Sequence, residues 1–204
     1  MRATATIGAY ARAGCRRGRA CRPTPRLALR SEHTWPKSWW NGSTTIGAYT
    51  DLHHLYPTDG YDNNRRSNYP LGAVSNSSAA KWVTSNGSKL GACAAVGAAS
   101  HSDRKRRGPR RHHMRAGGDA AVPSTCWEPA DGEKGRLARA YFYMSTAYAA
   151  TFTCCADNGA VDGATLLPWL QTTLLEWHTA HPVSLAEQTR NDAVYALQGN
   201  RNPF

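Results

Sequence analysis

"TDLHHLYPTDGYDNNRRSNYPLG", residues 50–72, contains the pattern from which we predict the local fold. DLHHLYP is typical of a short β-strand that enters a turn, and Asp59-Gly60 is a turn dipeptide. The following YDNNRRSN predicts a short helix that ends before Pro70. Joined to a strand that leads into SEHTWPKSWW, residues 31–40, the predicted order is strand, long loop, strand and short helix.

The strand before residues 31–40 has a weak signal. RLALRSEH precedes the three tryptophans, and Leu27 and Leu29 alternate with polar residues as in a half-buried strand. Glu32 and His33 stand at the end of this segment, where a regular strand would point them to opposite faces. Both can face one site only if the strand ends or twists there, and Pro36 gives a physical reason for such an ending.

The C-terminal part of the chain predicts three helices. DGEKGRLARAYFYMSTAYAA has apolar residues at helical spacing after Asp131, which we predict to be the N-cap. ATLLPWLQTTLLEWHTAHP predicts a second helix with Pro168 near its first turn. SLAEQTRNDAVYALQGN predicts a third, with Ser184 and Glu187 as a capping box and Gly199 as its C-terminal stop. The expected fold class is therefore α+β.

The chain has a formal net charge of +11 and contains two basic segments, one at its N-terminus and one in its interior. Residues 1–30 lack acidic side chains and predict a disordered basic tail, with a nucleic-acid arm or a mistranslated start as alternatives. ASHSDRKRRGPRRHHMRAGGDAA predicts a low-complexity insertion over about residues 95–122. The neighbouring histidines 112 and 113 are interpreted as part of this solvated run and not as a metal pair. The expected domain is residues 31–204, interrupted by this insertion.

The charge of the chain narrows the class of partner, whereas its cysteine usage leaves the compartment open. A strongly basic chain favours polyanions, with nucleic acid first. No run of eighteen apolar residues exists, so we expect no membrane-spanning helix, and the N-terminus lacks the apolar core of a secretory signal. The six cysteines do not reveal their pairing by spacing. Cys93 and Cys126 flank the basic insertion, where a disulfide between them could fix the base of a long loop.

The polar residues of the two quoted stretches match the needs of phosphodiester hydrolysis with one metal ion. The reaction needs a metal that screens the phosphate, a base with a pKa near 7, and a cation that balances the developing charge. Neutral imidazole suits the base, and carboxylate or amide oxygens suit Mg²⁺. The chain offers two oxygen donors, one base and three cations: Glu32, Asn63, His33, Lys37, Arg65 and Arg66.

Five sequence blocks in this order resemble the bacterial endonuclease I family. They are EHTWPKSWW, TDLHHLYPTDGYDNNRRSNYPLG, SNGSKLG, EPADGEKGRLARAYFYM and RNDAVYALQGNRNPF, and they cover residues 32–92 and 126–204. Members of this family are extracellular or periplasmic nucleases with a ββα-metal (His-Me) finger. The resemblance implies such a finger with a mainly helical remainder. Family members also have a helical region before the EH block, so we expect an N-terminus that is truncated or altered.

The resemblance implies roles for five residues of the catalytic site. Glu32 and His33 match the family's EH pair, which makes Glu32 a metal ligand and His33 the general base. Asn63, in GYDN, matches the second metal ligand. Arg66 lies in the family's RSN motif and would support the helix or contact phosphate. Lys37 is a candidate to replace the arginine that assists the transition state in some relatives.

Further residues are expected to support the site or to contact the nucleic acid. His54 would orient the second strand or a water on the metal, and Asp51 and Asn64 would support the same region. Arg65 and Arg201 are candidates for contacts with phosphates. For His53, beside His54, a structural role is the equal alternative.

The predicted function is a sequence-nonspecific, Mg²⁺-dependent endonuclease that cuts DNA and also RNA. It would use one Mg²⁺, with Mn²⁺ or Ca²⁺ as substitute ions, and act as a secreted or periplasmic monomer without membrane contact. The alternative is a catalytically inactive, truncated relative that acts only as a basic nucleic-acid-binding protein. A third possibility is an inactive and poorly folded product.

Overall fold

The computed structural model describes residues 29–76, 78, 80–94, 122–153 and 158–204. Most of the predicted tail and insertion, residues 1–30 and 95–122, therefore lies outside the described residues. The strands and α-helices are β1 Leu29–His33, β2 Leu55–Asp59, α1 Gly60–Arg66, β3 Trp82–Val83, β4 Lys89–Gly91, β5 Cys126–Glu128, α2 Asp131–Ala147, β6 Val161–Asp162, β7 Thr165–Leu166, α3 Pro168–Ala180 and α4 Leu185–Gln198. This mixture of small antiparallel sheets and longer helices confirms the predicted α+β class.

The strand, loop, strand and helix predicted for the first half are present. β1 and β2 pair antiparallel, and Glu32 lies opposite Tyr56 while His33 lies opposite Leu55. β2 passes directly into α1 because the Asp59 carboxylate accepts hydrogen bonds from the backbone N–H groups of residues 61 and 62, at 2.8 and 3.2 Å. The predicted turn at residue 59 is therefore a helix cap, and it brings α1 back against the first strand.

The three C-terminal helices form with three differences from the sequence-based prediction. Asp131 is the first residue of α2 and not its N-cap, which is Ala130 and makes no side-chain cap. Instead, the Asp131 carboxylate accepts a hydrogen bond of 2.7 Å from Lys134. In α4, the Ser184 hydroxyl oxygen accepts a hydrogen bond from the N–H of Glu187 at 3.2 Å, which is one half of the predicted capping box. The Glu187 carboxylate does not provide the other half, because its two oxygens accept from Arg139 at 2.6 and 2.7 Å.

The third difference concerns ATLL, which we expected to open the second helix. Residues 165 and 166 form β7 and pair with β6. Gly163, with a φ of +55°, lets the chain turn back between these two strands. The α3 helix begins at Pro168, in the first position where proline is well tolerated.

The core lies between the long β1–β2 loop and helices α2 and α3. Trp35, Trp39 and Trp40 from this loop are buried, at 0, 2 and 5% exposure. The Trp35 ring packs 5.3 Å from Tyr141 of α2, and the Trp40 ring stacks on Phe152 at 5.4 Å. The tryptophans that follow His33 thus anchor the end of β1 to the helical part of the molecule.

A disulfide joins Cys93 to Cys126, with 5.0 Å between their Cα atoms. It closes the base of the segment that carries the basic insertion, as the sequence suggested. Both cysteines are at or beside the β3–β4–β5 sheet, since β5 begins at Cys126. No helix in the described ranges is long and apolar enough to cross a lipid bilayer.

Candidate active site

The ends of β1 and α1 meet at a solvent-accessible pocket of about 380 Å³. Glu32, His33, Lys37, Asn63 and Arg66 all line it. The first strand ends at His33, so the backbone bends there and both side chains of the Glu-His pair reach the same pocket. The structure therefore brings together the predicted base, the two predicted metal ligands and two predicted cations.

His33 is held in one tautomer. Its Nε2 lies 2.9 Å from the backbone carbonyl oxygen of Tyr49. A carbonyl only accepts, so Nε2 carries the proton and donates it, and Nδ1 is left as the basic nitrogen. The Tyr49 ring also stacks against the imidazole, with 5.3 Å between ring centroids. Hydrogen bond and stacking together fix the orientation of the ring.

The surroundings of His33 favour the neutral imidazole. Burial lowers its pKa below the ordinary histidine value, and the positive charges of Lys37 and Arg66 lower it further. The hydrogen bond to the Tyr49 carbonyl opposes these effects without reversing them. A neutral imidazole near pH 7 is the form that can accept a proton from water.

His54 lies behind His33 and is fully buried, with 5.3 Å between the two rings. Its Nε2 donates to the carbonyl oxygen of Ala48 at 2.7 Å, next to the carbonyl that holds His33. Burial lowers the pKa of His54 to about 4, so this ring is uncharged. It packs against the His33 ring from behind and does not line the pocket, so the position is one from which it can orient the strand but not a water on the metal.

Glu32 is an incompletely neutralised carboxylate. Its Oε1 pairs with Nη1 of Arg66, while Oε2 has no hydrogen bond among the described residues. Burial raises the pKa of Glu32, and the charge of Arg66 offsets this only in part. A cation bound at the free oxygen would stabilise the charged form of this carboxylate.

Arg66 is buried, at 5% exposure, and connects α1 to the end of β1. Its Nη1 donates to the carbonyl oxygen of His33 at 3.0 Å, and its Nη2 donates to that of Thr34. Tyr141 donates to the same Thr34 oxygen at 2.9 Å, and burial raises the pKa of this tyrosine to about 12. Arg66 therefore holds the Glu-His backbone in place, which matches a positioning role better than contact with substrate.

The oxygen donors at the pocket fit a magnesium ion. No three His, Cys, Asp or Glu side chains in the described part of the chain converge as a metal-binding group. Mg²⁺ does not need such a group, because it keeps several waters and uses one or two protein oxygens. Glu32 Oε2 and the Asn63 side-chain amide both lie at this pocket, and within the described ranges neither makes a hydrogen bond. This donor set is suited to a hard cation.

The remaining candidates have different surroundings. Lys37 is exposed at the rim, with Nζ 5.6 Å from the centroid of the Tyr49 ring. Arg65 lies outside this pocket, where its guanidinium packs on the rings of Tyr61 and Trp82 at 5.1 and 4.9 Å. Two further predicted residues are exposed away from the pocket, Asn64 on α1 and Arg201, which pairs with Asp192.

Asp51 belongs to a separate, buried network. It accepts four hydrogen bonds, and the hydroxyls of Tyr143 and Tyr148 donate to Oδ2 at 2.7 and 2.8 Å. The Nε2 atom of His53 lies 3.2 Å from the carbonyl oxygen of Asn200 in the same region. These contacts fasten residues 51–54 to α2 and to the C-terminus, so Asp51 supports the loop from a distance.

Sequence reasoning missed the groups that orient the base. The Tyr49 carbonyl has no signal in the sequence, because any residue provides a backbone oxygen. Tyr141 lies in the segment that was predicted only as a helix, and its hydroxyl donates to the Thr34 carbonyl oxygen at 2.9 Å. Only the proximity created by folding reveals these contacts, since Tyr141 is far from Thr34 along the chain.

Comparison with known proteins identifies the family of this chain. A family model described as Endonuclease I matches residues 18–106 and 99–204. The chain is 31% identical over 183 residues to an extracellular ribonuclease of Bacillus subtilis (strain 168), over 85% of this chain and 49% of that protein. An extracellular ribonuclease of Bacillus amyloliquefaciens is 30% identical over the same shares. The chain spans about half the length of these curated relatives, and it belongs to the Endonuclease I family.

Proposed function

We propose that this protein is a metal-dependent endonuclease that hydrolyses phosphodiester bonds of DNA, and also of RNA, without sequence specificity. The observation that carries the proposal is the shared pocket of a neutral, oriented histidine and two free oxygen donors, from His33, Glu32 and Asn63. Family membership supports a nucleic-acid substrate, and the two relatives carry the name extracellular ribonuclease. The β1, β2 and α1 elements would form the ββα-metal (His-Me) finger.

The base in this mechanism is Nδ1 of His33. It accepts a proton from the attacking water while Nε2–H remains bonded to the Tyr49 carbonyl, which stabilises the imidazolium that forms. Arg66 keeps Glu32 and the end of β1 in place during this step. Proton acceptance and pre-organisation are thus provided by the chain's own residues.

Glu32 and Asn63 would hold Mg²⁺, with Mn²⁺ or Ca²⁺ as substitutes. When bound, the ion supplies positive charge that screens the phosphate and stabilises the leaving oxygen. Lys37 adds a second positive charge at the exposed rim of the same pocket. Contacts of this kind go to phosphate and not to base edges, which accounts for the proposed lack of sequence specificity.

We also infer that the protein acts outside the cytoplasm as a monomer. Both relatives are extracellular ribonucleases. The Cys93–Cys126 disulfide is of the kind that persists in oxidising compartments. Size-exclusion chromatography with light scattering checks the monomer, and mass analysis of the secreted protein under non-reducing conditions checks the disulfide.

Conversion of supercoiled plasmid to nicked and linear forms tests the proposed function. Wild type should cut with Mg²⁺, stop with EDTA, and regain activity when Mg²⁺ is added in excess. Glu32→Ala and Asn63→Ala should require higher Mg²⁺ concentrations for the remaining activity, whereas Asn64→Ala on the same helix should behave as wild type. Cutting that continues unchanged in EDTA would contradict metal dependence. Binding of plasmid without any cutting would support the alternative of a noncatalytic nucleic-acid-binding protein.

A further inference from the structure

A second concave surface continues from the candidate active site. Glu32, Asn63 and Arg66 line both the catalytic pocket and an adjoining cleft of about 370 Å³. This cleft runs between the β1–β2 sheet, the β3–β4 turn and the first half of α2. Its volume falls within the range of about 300–1,000 Å³ that is common for small-ligand sites. A phosphodiester in the catalytic pocket would therefore have one of its neighbouring nucleotides beside this shared wall.

The charge of the cleft argues against a phosphate and for a neutral ligand. Four carboxylates line it, and its two guanidiniums are already paired, Arg66 with Glu32 and Arg136 with Glu133. A phosphate would meet net negative charge there. The part of the substrate that is neutral is the nucleobase.

The walls of the cleft suit a flat, partly apolar ligand. Leu71, Trp127 and Leu137 form apolar surface, and Tyr56 closes one side, with the Arg136 guanidinium 4.9 Å from its ring centroid. Apolar and aromatic side chains are the usual surroundings of a base that has left its stack. The base would pack against these apolar walls of the open cleft.

Polar atoms in the cleft can bind the edge of a base. Asn86 accepts at Oδ1 from the N–H of Ser88 at 3.1 Å, which leaves its amide N–H groups as donors. The Asp62 carboxylate lines the same cleft and can accept. Donors and an acceptor around apolar walls match the mixed edges of nucleobases.

We propose that this cleft, which we name the base cleft, receives one unpaired nucleobase of the substrate beside the phosphodiester that is cut. The inference rests on the proposed nuclease function. A base enters such a cleft only after leaving its partner and its stack, which is easiest in single strands. Single-stranded DNA or unpaired RNA is therefore the preferred substrate class. The base that enters the cleft belongs to the nucleotide at one fixed position beside the bond that is cut.

Limited digestion of an end-labelled single-stranded oligodeoxynucleotide with one internal abasic residue tests the base cleft. Wild type cuts at most linkages, so the loss of one base should weaken one band at a fixed offset from the abasic residue. We expect a loss of about tenfold in that band, as for the removal of one base contact. Moving the abasic residue along the oligonucleotide should move the weak band with it.

A filled cleft provides the matched variant. Ser85→Trp places a large side chain at the exposed rim of the base cleft, and Ala193→Trp adds the same side chain on the exposed surface of α4. The first should abolish the weak band and the preference for single strands over duplex, and the second should change neither. A uniform ladder from wild type on the abasic substrate would overturn the base cleft and leave the nuclease function standing. No cutting by wild type on any substrate would overturn both.

Discussion

The Glu32–His33 pair and the Asp51–His53 pair combine the same two chemical types, yet the structure treats them in opposite ways. Asp51 accepts four hydrogen bonds, which lower its pKa despite burial. Glu32 has one ionic partner, and burial raises its pKa. His53 is buried, at 3% exposure, with its ring 4.6 Å from that of Tyr143, whereas His33 lines an open pocket.

This difference separates structural from chemical roles. A carboxylate whose lone pairs are all used stabilises the fold and has nothing left for a ligand. In a buried carboxylate with only one oxygen hydrogen-bonded, the charged form is destabilised until a cation binds. This is the state expected of a metal ligand before the metal arrives. Variants of Glu32–His33 should therefore lose activity, and variants of Asp51–His53 should lose stability.

The largest expected effect is the loss of activity in His33→Ala. Removal of the base should lower kcat/KM on single-stranded DNA by about 10²–10⁴-fold, the usual contribution of general base catalysis. His53→Ala is the matched control, and it should lower stability while the folded fraction keeps its activity. Circular dichroism measures the folded fraction of each variant. If both variants lost the same activity per folded molecule, the assignment of a catalytic role to His33 and a structural role to His53 would be contradicted.

The next effect is on stability. Asp51→Asn removes the charged acceptor of two tyrosine hydroxyls and should lower the free energy of unfolding by about 2–3 kcal/mol. Because the pKa of Asp51 is lowered in the folded state, its stabilisation is present above the ordinary aspartate pKa and is lost as pH falls through the folded value. Urea unfolding at neutral and acidic pH should therefore show a smaller difference between wild type and variant in acid.

Glu32→Gln is the control for that stability measurement. Since burial raises the pKa of Glu32, its charged form does not stabilise the metal-free fold, and a neutral side chain that still accepts from Arg66 should shift stability by less than about 1 kcal/mol. A loss as large as that of Asp51→Asn would mean that the ion pair with Arg66 is mainly structural.

The third effect concerns the pH dependence of kcat/KM. Activity should fall as acid protonates His33, and the midpoint should lie below the ordinary histidine pKa of about 6.5, because the pKa of His33 is lowered. Lys37→Ala removes one of the charges that lower it, so the midpoint should move to higher pH. A midpoint unmoved in Lys37→Ala and above 6.5 in wild type would contradict the assigned electrostatics.

The smallest effect is on the salt dependence of binding. Lys37→Ala should reduce the slope of log affinity against log salt by about one unit if its ammonium group contacts a phosphate. Lys81→Ala is the matched control, since Lys81 is exposed, lies outside the pocket and donates to Thr125 at 3.2 Å. Equal slopes for the two variants in fluorescence anisotropy titrations would remove Lys37 from the substrate contacts.

Much of the local structure could be predicted because its causes are local. Asp59-Gly60, Pro168 and the Ser184 cap act through neighbours within a few residues, and all three mark real boundaries of helices. The predicted N-cap at Asp131 was wrong by one residue, because the Asp131 carboxylate pairs with Lys134 and does not accept from the N–H groups of the helix N-terminus. ATLL was misassigned because a two-residue turn at Gly163 outweighed its helical pattern.

The amino-acid sequence by itself determined the α+β class, the family and the residues that meet at the candidate active site. Its motifs carry that information because residue type and spacing along the chain are enough to match them. Only the tertiary structure decided which nitrogen of His33 is basic and that Arg66 is buried and bonds the backbone at the end of β1. It also decided that both carboxylate oxygens of Asp51 accept hydrogen bonds, whereas only one of Glu32 does. Those properties arise from burial and from contacts between distant segments, such as Tyr141 with Thr34, which exist only after the chain has folded.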